Sequence, residues 1–281
     1  MKVFKTKEEL NLYLKEFRSK NAKIGFVPTM GALHKGHLSL LEKSSRENDI
    51  SVASIFVNPT QFNKKEDLDN YPRTLENDLK LLKNTNCNVV FIPSTHEIYS
   101  EAVSSGQFNF DGLENEMEGK YREGHFNGVG TIVKKLFEIV LPTHAYFGEK
   151  DFQQLQIIKK MVELHEFITK IVGCAIYRAD DGLAMSSRNE RLKPNYRKAA
   201  PFIYKTLKEA KKKFGTDSAK EVTEWVENQF KKHELLELEY FLIADIKTLK
   251  PVKRKSTKKT YRAFIAAYAD DIRLIDNIAL N

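Results

Sequence analysis

Five short apolar runs, each separated from the next by a helical pattern, constrain this chain more than any other feature. They are Ile24-Gly25-Phe26-Val27, Ser51 to Val57, Val89 to Ile92, Ala145 to Gly148 and Ile171 to Tyr177. Each is too short for a helix and apolar on both faces, and Asn58-Pro59 and Pro93 stop two of them. A Thr6/Glu9 capping box opens a stripe at Leu10, Tyr13, Leu14 and Phe17. Further helices are predicted over Lys35 to Asn48, from Thr74, through Val129 to Val140, and over Gln153 to Leu164. Such alternation demands a parallel sheet covered on both faces. The expected fold class is therefore α/β, a Rossmann-like doubly wound parallel sheet.

After about Tyr177 the texture changes. Helical patterns over roughly 194–214 and 217–233 precede strand-like runs at Glu239–Ala244, Tyr261–Tyr268 and Ile272–Ile275. This predicts a smaller C-terminal α+β domain, dividing the chain into 1–176 and 177–281. Residues 63–72 read as a polar loop, and 94–125 have no strong period.

No apolar run approaches the length of a membrane span. The first residues lack a signal-peptide core and lead into the amphipathic helix. The cysteines, Cys87 and Cys174, lie in apolar segments and form neither a disulfide framework nor a zinc pattern, so a cytoplasmic location is expected. The net charge of +8 fits nucleic acid or an anionic small substrate. Eight Lys or Arg and no acid fall between Lys247 and Arg262. With Pro251, Ser256 and three threonines, that stretch reads as a solvated strand-flanking loop rather than a nucleic-acid site.

The chemistry begins at Val27-Pro28-Thr29-Met30-Gly31-Ala32-Leu33-His34-Lys35-Gly36-His37. Two histidines flank a glycine between a strand and a helix start, where an open α/β sheet binds its ligand and helix amides favour phosphate. Four other patches follow strands or open helices. Phe56-Val57-Asn58-Pro59-Thr60-Gln61-Phe62 offers neutral hydrogen-bonding groups, and Tyr71-Pro72-Arg73-Thr74 leads to Asp78 in a first helical turn. Phe147-Gly148-Glu149-Lys150-Asp151-Phe152-Gln153-Gln154 places a cation near a helix start. Gly182-Leu183-Ala184-Met185-Ser186-Ser187-Arg188-Asn189 strings two hydroxyls and a guanidinium together, a set that can grip a triphosphate. Each alone also reads as ordinary turn or helix-cap chemistry.

Together, and with Arg273-Leu274-Ile275-Asp276-Asn277, these segments resemble the pantoate–β-alanine ligase (pantothenate synthetase) family over nearly the whole chain. A wider resemblance is to the HIGH-type nucleotidyltransferases. Lys35 between the histidines, Glu123 and Asp271 depart from the family pattern, as does the basic 247–262 stretch.

The resemblance implies an AMP-forming ligase that joins pantoate to β-alanine through a pantoyl adenylate, with ATP as substrate and Mg²⁺ as cofactor. It implies catalytic roles for His34, His37 and Lys150. ATP contacts are implied for Met30, Gly31, Ala32, Leu33, His34, Lys35, Gly36, His37, Gly148, Glu149, Lys150 and Asp151. They extend to Tyr177, Met185, Ser186, Ser187 and Arg188. Gln61, Gln154 and Asn58 would orient pantoate or β-alanine, Asp78 would hold Mg²⁺, and residues 63–78 would act as a movable gate. The family suggests a homodimer without membrane or nucleic-acid partners. The alternatives are another HIGH-type nucleotidyltransferase with a phosphate acceptor, and an RNA-binding module using the basic segment.

Overall fold

Six parallel strands run in the order β1-β4-β3-β2-β5-β6 in a computed structural model that describes residues 1–63 and 65–281. They are β1 (Lys2–Phe4), β2 (Ile24–Thr29), β3 (Ile50–Ile55), β4 (Val89–Phe91), β5 (His144–Gly148) and β6 (Lys170–Cys174). The expected five are present; β1 was not anticipated. Its residues pair with β4 at Lys2↔Val89 to Phe4↔Phe91, ahead of the helix that the capping box announces. β3 is buried at every position, which is why it reads as continuous rather than alternating.

Helices α1 (Lys7–Ser19), α2 (Lys35–Glu47), α3 (Lys65–Asp69), α4 (Leu75–Lys83) and α5 (Thr95–Ile98) connect the first four strands and follow the fourth. Then come α6 (Met117–Tyr121), α7 (His125–Val140) and α8 (Phe152–Leu164). The aperiodic 94–125 stretch thus holds only short helical turns. Leu10 and Leu14 of α1 are fully buried, contributing about 1.5–3 kcal/mol each.

From β2 the chain steps one way through β3 and β4 and the other way through β5 and β6, so the switch point lies between β2 and β5. β2 and β3 pair from Ile24↔Ile50 to Thr29↔Ile55, whereas β2 and β5 pair only at Gly25↔His144 and Phe26↔Ala145. Pro28, which has no N–H to give a ladder, lies beyond that point. The sheet therefore parts at the carboxyl ends of β2 and β5.

Two units divide the chain: Met1–Glu149 with Gln153–Ala175, and Lys150–Phe152 with Ile176–Asn281. The second unit carries an antiparallel sheet of β7 (Glu237–Asp245), β8 (Tyr261–Ala269) and β9 (Ile272–Ala279). Helices α9 (Pro194–Ala199), α10 (Phe202–Phe214) and α11 (Ala219–Lys231) complete it, and Ile203, Leu207, Val222 and Val226 pack with Phe241 and Ile265 in one core. The single helix expected over 194–214 breaks before Phe202, where Pro201 supplies no amide for helix continuation. The basic stretch is largely the β7–β8 loop: Lys259 pairs with Asp245 at 3.2 Å, and the Lys255 ammonium donates to the Phe214 carbonyl.

Candidate active site

The chain leaves β2 through a turn that folds poorly by itself. Gly31 has φ +81° and Ala32 φ +49°, a left-handed conformation that costs an alanine about 1–2 kcal/mol. Three side chains hold it. The Gly31 amide donates to Thr29 Oγ1 at 3.2 Å, and Thr29 Oγ1 donates to the Ser54 carbonyl at 2.7 Å. Asp78 accepts from the amides of Ala32 (3.0 Å) and Leu33 (2.8 Å), and Thr74 Oγ1 donates to it at 3.2 Å.

The turn delivers His34 as the N-cap of α2. His34 Nδ1 accepts from the Gly36 amide at 3.1 Å, and His37 Nδ1 accepts from the His34 amide at 3.3 Å. This is a capping box built from two imidazoles, whose ring centres are 4.1 Å apart. A neutral imidazole that accepts at Nδ1 carries its proton on Nε2, so both rings are Nε2–H donors. Lys35 between them is exposed.

Gln61 sits on the turn after β3, 8% exposed. Its Nε2 donates to Met30 Sδ at 2.8 Å, tying this patch to the histidine turn. Asn58 Nδ2 donates to Gln61 Oε1 (3.3 Å) and to the Gly128 carbonyl (3.2 Å). Asn58 Oδ1 accepts from Tyr99 Oη at 2.6 Å and from Thr60 Oγ1 at 3.2 Å. Asn58 is 1% exposed with both amide atoms occupied, so it supports Gln61 rather than meeting a substrate, a correction to the expected binding role. Burial pushes the Tyr99 phenol above its usual 10.0 and keeps it a donor.

The Gln61 carbonyl accepts from His125 Nδ1 at 2.9 Å, and Arg122 lies 3.2 Å from His125 Nε2. A carbonyl only accepts and a guanidinium only donates, so His125 carries its proton on Nδ1, the tautomer opposite to the histidine pair. Gly128 makes the approach of α7 possible: a Cβ there would lie 2.3 Å from the Thr60 carbonyl oxygen. Tyr99, Arg122, His125 and Gly128 brace the Asn58–Gln61 turn, a support that the sequence reading missed. The Arg122-Glu123-Gly124-His125 string was visible, but nothing local ties it to Gln61.

Gln154 is half-buried on the first turn of α8. Its neighbour Gln153 is the buried one, holding the carbonyls of Leu113 (2.8 Å) and Glu116 (2.7 Å) and the Glu118 amide (3.0 Å). Gly148 closes β5 and Glu149 opens the turn after it, both half-buried.

In the second unit, the amide of Met185 donates to the Tyr177 carbonyl and that of Ala179 to the Leu183 carbonyl, both at 2.9 Å. This short hairpin presents Ser186, which caps the turn Ser187–Arg191 by accepting the Arg188 amide. Ser186 and Ser187 are half-buried and Arg188 exposed. Lys150 lies in the same unit, 3.8 Å from Asp151.

The implied Mg²⁺ finds no fit in these residues. Asp78 is 1% exposed with both oxygens committed to backbone amides, so it anchors the turn instead of a metal. Among the described residues, no group of three or more His, Cys, Asp or Glu side chains is arranged to hold a metal ion.

A sheet that parts at its switch point and a histidine-capped helix at its mouth define a Rossmann-like nucleotide-binding enzyme. The chain matches the pantoate-β-alanine ligase family over residues 2–279. It is 57% identical to the pantothenate synthetase of Flavobacterium psychrophilum over 281 residues, covering 100% of both chains. Identity to that of Bacteroides fragilis is 47%, covering 99% of this chain and 98% of the relative. The crystal structure of pantothenate synthetase from Thermus thermophilus superposes with a TM-score of 0.91 at 39% identity, covering 100% and 99%. A pantoate-β-alanine ligase from Francisella tularensis, complexed with β,γ-ATP and β-alanine, gives 0.81 at 35%, covering 100% and 98%. The chain belongs to the pantoate–β-alanine ligase family. Among the described residues no helix is long and apolar enough to cross a membrane.

Proposed function

We propose that this chain condenses pantoate with β-alanine, consuming ATP, and that the histidine pair at the start of α2 drives the first step. A pantoate carboxylate oxygen attacks the α-phosphorus of ATP; the bond to the bridging oxygen breaks and pyrophosphate leaves. The β-alanine amine then attacks the acyl carbon of the adenylate; the bond to AMP breaks and the amine loses a proton. The observation that carries this is the shared tautomer of His34 and His37. Both Nε2–H groups are donors locked by backbone contacts, so they meet growing phosphoryl charge without reorganising.

Gln61 orients pantoate. Its Nε2–H is held by a thioether, a weak acceptor that a substrate oxygen readily replaces. Gln154 assists it. Lys150 serves the phosphates or the attacking carboxylate, with Asp151 in the same ATP-contacting turn, Ser186, Ser187 and Arg188 grip the β and γ phosphates, and Tyr177 meets the adenine. Met30 to His37, Gly148, Glu149 and Met185 complete the nucleotide contacts. Of the expected gate, residues 63–73 close over the adenylate, which needs shelter from water, while Thr74 to Asp78 stay with the histidine turn that Asp78 anchors; Lys64 lies outside the described residues. The assembly is a homodimer, which sedimentation of the purified chain tests.

The decisive experiment is exchange of labelled pyrophosphate into ATP with pantoate present and β-alanine absent, alongside AMP release with all three substrates. Exchange that needs pantoate only, with AMP release that needs all three, is expected. Pyrophosphate release without AMP would overturn the ligase reading in favour of a nucleotidyltransferase with a phosphate acceptor.

A further inference from the structure

Lys150, Asp151 and Phe152 have first-unit residues on both sides in sequence yet group with the second unit. Three interactions account for this. Asn277 Nδ2 donates to the Lys150 carbonyl at 2.8 Å. The Phe152 ring packs on Phe264, centres 5.9 Å apart, and the Arg262 guanidinium lies over it at 4.2 Å. Arg262 donates in turn to Asn277 Oδ1. Asn277 and Phe264 are register partners on β9 and β8, so one spot on this sheet grips the backbone of Lys150 and the ring two residues on.

Asn277 is 2% exposed, and its amide is oriented without ambiguity: Arg262 only donates, so the oxygen faces it and the nitrogen faces the Lys150 carbonyl. Its own backbone amide donates to Asp276 Oδ1 at 2.7 Å. Asp276 pairs with Arg178, which opens the hairpin leading to Ser186. The Asp276-Asn277 dipeptide therefore joins the Lys150 turn to the Tyr177–Met185 hairpin inside one unit.

We propose that Asn277 is a positioning residue for Lys150: it fixes the backbone from which the ammonium reaches the reacting phosphate. The inference rests on the Lys150 role proposed above. A misplacement of about 1 Å costs reactions of this kind about 10²-fold, so a lost backbone tether is expected to cost at least about tenfold. Asn277 itself is buried and is not a substrate contact.

The test measures pantoate-dependent pyrophosphate exchange, with ATP varied, in Asn277→Ala, Asn277→Asp, Lys150→Ala and the double variant Lys150→Ala/Asn277→Ala. Thermal unfolding of each is recorded. Asn277→Asp keeps the shape and the acceptor for Arg262 but replaces the donor to the Lys150 carbonyl with a carboxylate oxygen, which repels it. Both Asn277 variants are expected to lose about tenfold or more while unfolding cooperatively, and the double variant to be no slower than Lys150→Ala. Additive losses would overturn the inference and leave the Lys150 role intact. Full activity in Lys150→Ala would remove that role, and the inference with it. Two Asn277 variants that both fail to fold would also overturn it, since the residue would then serve folding rather than the lysine.

Discussion

Asp78 and Leu33 meet across 45 residues of sequence, carboxylate to amide at 2.8 Å, and this contact holds the histidine turn in place. Asp78→Ala would leave the buried Leu33 amide and the partly buried Ala32 amide unpaired, at about 1–3 kcal/mol each. Urea unfolding is expected to show a loss of about 2–6 kcal/mol, with Asp78→Asn intermediate. An Asp78→Asn protein of unchanged stability but weakened Mg²⁺ binding would return the residue to a metal role.

His34 both caps α2 and supplies a proton donor, and the two jobs separate on substitution. Asparagine is among the best N-caps. His34→Asn is expected to keep stability within about 0.5 kcal/mol while turnover falls about 10²–10³-fold, the usual loss for one transition-state donor. Near-normal turnover would remove His34 from the chemistry.

Gly128 lets α7 press on the Gln61 turn. An alanine methyl would stand 2.3 Å from the Thr60 carbonyl oxygen and 2.7 Å from Gln61 Cα, both main-chain atoms. Gly128→Ala should cost about 1–3 kcal/mol and displace Gln61. Steady-state kinetics should show KM for pantoate rising well ahead of KM for ATP; equal rises would contradict the assignment of Gln61 to pantoate.

Both thiols are buried, and burial pushes Cys87 and Cys174 from 9.0 up to about 11. The folded state keeps them protonated where the unfolded chain ionises. Their contribution to stability is intact below pH 9 and is lost as pH climbs towards 11. Native protein at pH 8 should resist thiol reagents, and unfolding should release two reactive groups. Rapid labelling of the native chain would contradict this.

Arg178 grips Asp276 through two hydrogen bonds, at 2.6 and 2.9 Å, with the carboxylate side chain 3% exposed and Tyr204 stacked 3.6 Å from the guanidinium. Asp276→Ala strands a largely buried cation and is expected to destabilise the protein by about 3–5 kcal/mol. Denaturant titration checks it; a loss under 1 kcal/mol would mean that water replaces the carboxylate.

The sequence by itself determined the alternating strands and helices, the three C-terminal strand-like runs and the order of segments that marks the family. Those signals are local: apolar periodicity and motif spacing survive in a bare string of residues. Only the tertiary structure decided that Asp78 anchors a turn, that Asn58 stands behind Gln61, and that His125 reaches the Gln61 carbonyl from 64 residues away. It also decided that Asn277 holds Lys150 across 127 residues. The reason is physical. A carboxylate at a helix start or an amide after a strand has the same local appearance whether it faces a metal, a substrate or a distant amide. Burial and the partner brought by the fold choose among them, and even the proton on an imidazole goes to whichever nitrogen the backbone leaves for it.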